Sequence, residues 1–208
     1  HRDLHSFPTR RSSDLAFHDG CLTSCSLMVA GEAFTGAVRV AREAAGLGVG
    51  LHLVAVVGKS VLPHREIPNL VDGRGSFRSD PVAAGLNYFF SPKARKQLTR
   101  ELRAQFERFV ATGLCPTHVD AHLHFHFHPV VFDVAVRLCR EYGIRCMRVP
   151  EDDLGLLAGF DGKSTLQRRV ASRFFGLFTG RMKARLHREG MVCTRKVLGH
   201  FMTGRMNR

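Results

Sequence analysis

The run GVGLHLVAVV at Gly48–Val57 restricts the fold more than any other stretch. It is apolar on both faces of an extended chain, with His52 as its one polar side chain. A strand with two apolar faces has to be covered on both sides, which is the situation of parallel sheets flanked by helices. Helical periods stand on either side. In Glu32–Ala45 the apolar residues Ala33, Ala37, Val40, Ala41 and Ala44 recur at helical spacing. In Lys93–Thr112 the buried stripe is Leu98, Leu102, Phe106, Phe109 and Val110. Gly46 and Gly113 close these helices. Further strands are predicted in CLTSCSLMV before the first helix, in THVDAHLHFHFHP after the second, and in IRCMRVP after a third helix at Val130–Tyr142. AFHDG reads as the last turn of a helix ending at Gly20. Alternation of this kind predicts an α/β fold with a parallel sheet and right-handed crossovers. A (β/α) barrel and a doubly wound sheet both fit. GLGVG at Gly46–Gly50 leads from a helix into a strand, the reverse of a dinucleotide fingerprint. Gly58–Pro92, with four prolines, reads as one long functional loop.

The predicted strand THVDAHLHFHFHP carries the chemistry. His118, Asp120, His122, His124, His126 and His128 share one parity, and Val119, Ala121, Leu123, Phe125 and Phe127 share the other. On a strand this makes one imidazole-lined face and one apolar face. Neutral imidazoles bind borderline divalent metals, and a neighbouring carboxylate orients the ring or binds alongside. Alternate strand residues advance ~6.5 Å, so these histidines cannot all hold one ion. His52 is an imidazole in an apolar strand and needs a partner, since burying it unpaired costs ~1–3 kcal/mol. In a parallel barrel His52 and His122 can converge from separate strands. A polar interior without metal, and a histidine-rich metal store binding several ions, are the alternatives. His18, His64, His187 and His200 read as structural.

The 208 residues and 44% hydrophobic content suffice for one domain with a core. The net charge of +13 is uneven, because residues 163–208 hold twelve Lys and Arg against Glu189 alone. This basic amphipathic C-terminal segment reads as an outer helix over 165–188 with a solvated face, or as a peripheral membrane contact. Nucleic acid is disfavoured, for no aromatic-interleaved patch accompanies the charge. Six cysteines without a C-x-x-C pair read as free thiols in a reducing, cytoplasmic setting. No apolar run approaches the ~20 residues of a membrane span. Residues 1–15, HRDLHSFPTRRSSDL, share no period with the rest of the chain, and from His5 they resemble one reading frame of a sequencing-library adapter. They are read as foreign and excluded, leaving 16–208 as the domain.

GLHL at Gly50–Leu53 together with THVDAHLHFHFHP resembles the YdjC-like carbohydrate deacetylases. DGCLTSCSLMV adds to the likeness, and LPHREIPNLVDGRGSF is most like the hopanoid-biosynthesis-associated branch. The resemblance implies a (β/α)-barrel-like parallel sheet, a divalent metal (Mg²⁺ or Zn²⁺), and hydrolysis of the N-acetyl group of an acetylated amino sugar or glycolipid. It implies His52 and His122 as metal ligands, joined by an aspartate of an upstream ADDFG motif whose other aspartate is the general base. No ADDFG occurs in this sequence. The expectation is therefore a partial domain, incomplete at both ends and nearly inactive alone. Asp120 is expected to support a histidine. His124 and His126 are candidates for the acid that protonates the leaving amine, or for substrate contacts. Another metal-dependent amidohydrolase and a non-catalytic basic membrane-surface module are the competing classes. Metal identity and oligomeric state are left open.

Overall fold

The computed structural model describes residue 20, residues 22–149 and residues 178–195. The chain divides into two compact units, His1–Ile144 and Arg145–Arg208. The adapter-like residues 1–15, the AFHDG turn before Gly20, His18, His200, Cys21 and residues 163–177 lie outside the described residues.

In the first unit three parallel strands lie in the order β1 (Ser24–Leu27), β2 (Gly48–Leu53) and β3 (Val119–Ala121). Ser26 is level with Gly50, and His52 is level with Asp120. Helix α1 (Phe34–Glu43) connects β1 to β2, and α3 (Pro92–Val110) precedes β3. Helix α4 (Pro129–Glu141) follows. The alternating, parallel α/β arrangement is the one the apolar runs predicted. β2 is central and buries Val49, Leu51 and Leu53, while α3 contributes Leu98, Leu102, Phe106 and Phe109. Val110, expected in that stripe, is exposed on the last turn.

Two expectations need correction. Gly58–Pro92 is not one structureless loop. Its first part is clamped by antiparallel bridges Lys59–Ser76 and Val71–Phe77 over a small core of Ile67, Leu70, Val71 and Phe77. Its second part is helix α2 (Pro81–Phe90), where the Asp80 carboxylate accepts from the amides of Val82 and Ala83 and Pro81 stands in the first turn. Those are ordinary helix-starting residues. The histidine stretch is not one strand either. Only Val119–Ala121 is strand, and His122–Phe127 is a 3-10 turn in which Leu123 (φ 50°) and His124 (φ 53°) are left-handed. These two residues turn the chain, and the predicted single imidazole face ends at His122.

In the second unit β4 (Cys146–Met147) pairs in parallel with β5 (Val192–Cys193). Residues 178–188 are helical. Met182 and Leu186 on that helix are buried, as are Met147 and Met191. Arg181 and Arg188 are exposed. The described part of the basic segment thus has a solvated cationic face, and its apolar face is already covered. Among the described residues no helix is long and apolar enough to cross a membrane. The five described cysteines are free thiols.

Candidate functional site

Side chains at the C-terminal ends of the three parallel strands converge, which is where such sheets place their chemistry. Ser26 is the third residue of the four in β1, His52 the fifth of the six in β2, and His122 directly follows β3. Asp120 is 1% exposed. Its Oδ1 accepts from His52 Nδ1 at 2.7 Å, and its Oδ2 accepts from Ser26 Oγ at 3.1 Å. Since a carboxylate only accepts, His52 carries its proton on Nδ1, and its Nε2 keeps a lone pair. The His52 and His122 rings meet edge to face with centroids 5.7 Å apart. His122 is buried, whereas the His52 side chain is 23% exposed.

The polar chain extends further. Ser26 Oγ lies 3.0 Å from His118 Nε2, and His118 Nδ1 lies 2.9 Å from Thr117 Oγ1. Behind Ser26, burial raises the Cys25 thiol pKa above its ordinary value, and the Asp120 charge adds to the effect.

The turn after His122 arranges the remaining histidines. His126 is buried with its ring beside Phe127, and His124 is half-exposed at a centroid distance of 6.2 Å from His126. His128 lies against α2, close to Gly85, and stacks on Phe125. Burial lowers its imidazole pKa. His64 is satisfied structurally, its Nδ1 2.9 Å from the Val71 carbonyl.

The segment leaving β2 is fixed from below by two buried polar residues of α3. Glu101 accepts from the amides of Val61 and Leu62, and Gln105 bonds both backbone groups of Val54 and donates to Glu101. Burial raises the Glu101 carboxyl pKa despite these donors.

Of the residues singled out in the sequence, His52, Asp120 and His122 come together, while His124 and His126 belong to the adjoining turn. Ser26, Glu101 and Gln105 were not identified, and His118 was read only as a member of the imidazole-lined face. For Ser26 a signal exists: Ser24 and Ser26 alternate with Cys25 and Leu27 in SCSL, a polar face on an otherwise small apolar strand. Among the described residues no three His, Cys, Asp or Glu side chains are grouped as a metal site. His52 and His122 supply two imidazoles, one held by a carboxylate as metal-binding histidines usually are.

The YdjC-like protein family model matches residues 10–208. A carbohydrate deacetylase of Brevibacillus brevis is 42% identical over 129 residues, 62% of this chain and 49% of the relative. A chitooligosaccharide deacetylase of Escherichia fergusonii is 29% identical over 164 residues, 77% of this chain and 61% of the relative. The solved structure of an Enterococcus faecalis protein named for cellobiose-phosphate cleavage aligns with a TM-score of 0.57 at 28% identity, covering 68% of this chain and 54% of that one. The chain spans about half the length of the first curated relatives it matches.

Proposed function

Since the chain belongs to the YdjC-like protein family, we propose that it carries the imidazole side of a hydrolase site that removes acetyl groups from N-acetylated sugars. The observation that carries this reading is the pair His52–His122 with Asp120 on His52 Nδ1. Relatives named for deacetylation of carbohydrates and chitooligosaccharides support it.

The donor chemistry fits a borderline divalent ion held by His52 and His122. Imidazole donors favour Zn²⁺ over Mg²⁺, which prefers oxygen. Such an ion, when bound, polarises a carbonyl and lowers the pKa of water. The chain's own residues do the rest. Asp120 keeps the Nδ1 proton on His52 and leaves Nε2 as the donor. His124, half-exposed on the turn and beside His126, is the residue we assign to protonating the leaving amine. The clamp formed by Glu101 and Gln105 holds the segment after β2 where it can flank a sugar. Residues 16–208 are taken as the domain, with 1–15 foreign to it.

A lipid-linked amino sugar, as in the hopanoid-associated branch, is the finer reading, and the basic segment 163–208 supports it through charge. The buried Met182 and Leu186 leave electrostatics as the means of contact there.

The upstream aspartates that the resemblance implies have no ADDFG motif in this sequence, and slow turnover by this chain alone is part of the proposal. With protein in excess over N-acetylated chitooligosaccharide, Zn²⁺-dependent acetate release is expected, and His122→Ala removes it. Release no greater than that of His122→Ala, with or without Zn²⁺, would overturn the proposal. Rapid turnover would instead show that no further aspartate is needed.

A further inference from the structure

We propose that His118 and Ser26, meeting across the gap at Gly50, form a positioning relay that fixes the Asp120 carboxylate and, through it, the tautomer and aim of His52. The consequence for zinc binding rests on the proposed role of His52, whereas the relay itself is a property of the metal-free chain.

Leu51 is level with Val119, so His118 stands opposite Gly50, and Ser26 is level with Gly50 from the other side. His118 and Ser26 therefore sit two strands apart, roughly 9–10 Å across the sheet. The His118 ring reaches Ser26 only by passing over β2, and it does so at the one β2 position in that row without a side chain. A Cβ at Gly50 would lie 2.5 Å from His118 Cε1 and Nε2 and 2.6 Å from Cδ2. Any other residue there expels the ring. Gly50 has an ordinary negative φ, so the backbone gives no reason for glycine. The reason is the crossing imidazole.

The hydrogen bonds have one consistent direction. Ser26 has a single hydroxyl proton, which goes to Asp120 Oδ2. At His118 it must therefore accept, so His118 is protonated on Nε2. The Nδ1 of His118 then accepts from Thr117 Oγ1. Each donor in the series Thr117, His118, Ser26 points toward Asp120, whose other oxygen takes the His52 proton at 2.7 Å. With both carboxylate oxygens engaged, Asp120 cannot turn about its side chain without losing a bond in a buried place. Without Ser26 it can rotate, and His52 can flip or exchange tautomers.

Metal-free protein labelled with ¹⁵N in histidine tests this by NMR. His52 is expected as the Nδ1–H tautomer in the unmodified chain. In Ser26→Ala and Gly50→Ala its two ring nitrogens move toward averaged shifts. Ser26→Thr, which keeps the hydroxyl, restores the original signature, a rescue that loss of packing alone does not give. Zn²⁺ titrated against a competing chelator is expected to bind about tenfold more weakly to Ser26→Ala and Gly50→Ala, the low end for loss of a ligand's outer partner. Ser26→Ala removes one oxygen and keeps the fold if Gly50→Ala does not. Unchanged His52 signals in folded Ser26→Ala would overturn the relay. If Zn²⁺ fails to bind the unmodified chain, the proposed function falls, and the tautomer comparison still decides the relay.

Discussion

Replacing Asp120 by Asn keeps the side chain's size and removes its charge, and two consequences can be read separately. The carboxamide can accept from only one of His52 and Ser26, because its nitrogen is a donor. The bond to Ser26 must reverse or the Nδ1–H of His52 must lose its acceptor, and the Zn²⁺ affinity proposed for His52 and His122 is expected to fall about 10–100-fold, measured by chelator competition. The second readout is Cys25, whose thiol pKa the Asp120 charge helps to raise. Asp120→Asn removes that charge, so the Cys25 pKa falls and its alkylation by iodoacetamide at a fixed alkaline pH quickens. Cys115 is exposed and serves as the internal reference. Identical Cys25 rates in both proteins would show that Asp120 is neutral in the folded chain. At this scale the sequence was legible wherever chemistry and parity agreed. An aspartate two residues before a histidine, and a lone histidine in an apolar strand, identified His52, Asp120 and His122. His118 was seen on the right parity, but its partner Ser26 lies 92 residues away. Only the sheet register brings them together.

At the scale of elements, the helical periods gave α1, α3 and α4 to within a few residues, because 3.6-residue spacing is a local property. The histidine turn was not legible, since two adjacent left-handed non-glycine residues are uncommon and no local residue signals them. Helix α2 could have been found from Asp80 and Pro81, but the surrounding prolines and glycines hid it. The interior polar pair on α3 was hidden for a different reason. Glu101 and Gln105 look like solvent-facing residues until the segment they hold is folded against them. Glu101→Gln offers one acceptor and one donor, as the protonated carboxyl does, and is expected to change stability little in urea unfolding at low pH. The pH dependence has a definite sign. The folded Glu101 pKa lies above its ordinary value of 4.5. The folded state binds the extra proton, so its contribution is greatest below about 4.5 and is lost as pH rises through the raised value. The unmodified chain loses stability relative to the non-titrating Glu101→Gln over that interval, and a relative gain there would contradict the assignment. His128 acts in the opposite direction. Its folded pKa is pushed below 6.5 by burial, with the Arg95 charge adding to the shift. The unfolded chain binds the proton first, so stability is lost as pH falls below 6.5. His128→Phe should flatten that part of the melting-temperature profile.

At the scale of the whole molecule, charge and chemistry are segregated. His52, Asp120, His122, Ser26 and His118 all lie in the unit ending at Ile144, while residues 163–208 carry +11 of the net +13. This asymmetry was fully legible, because charge is counted and needs no fold. Which part of the basic segment is free to act was not. The structure answers this for 178–188, where Met182 and Leu186 are buried and Arg181 and Arg188 face solvent. Contact with an anionic lipid surface through this stretch can therefore be only electrostatic, at about 1 kcal/mol for each cation near the surface. Arg181→Gln with Arg188→Gln removes about 2 kcal/mol, roughly a 25-fold loss of affinity for phosphatidylserine vesicles in sedimentation. Raising ionic strength from about 0.1 M to about 1 M shortens the screening length from ~10 Å to ~3 Å and should release the unmodified chain as well. The Zn²⁺ affinity proposed for His52 and His122 is expected to be unchanged by the double substitution, since both histidines lie in the unit ending at Ile144 and neither arginine does. Vesicle binding that survives both the substitution and the salt would have to come from apolar insertion elsewhere. The lipid-linked reading would then lose the one physical support that the basic segment gives it.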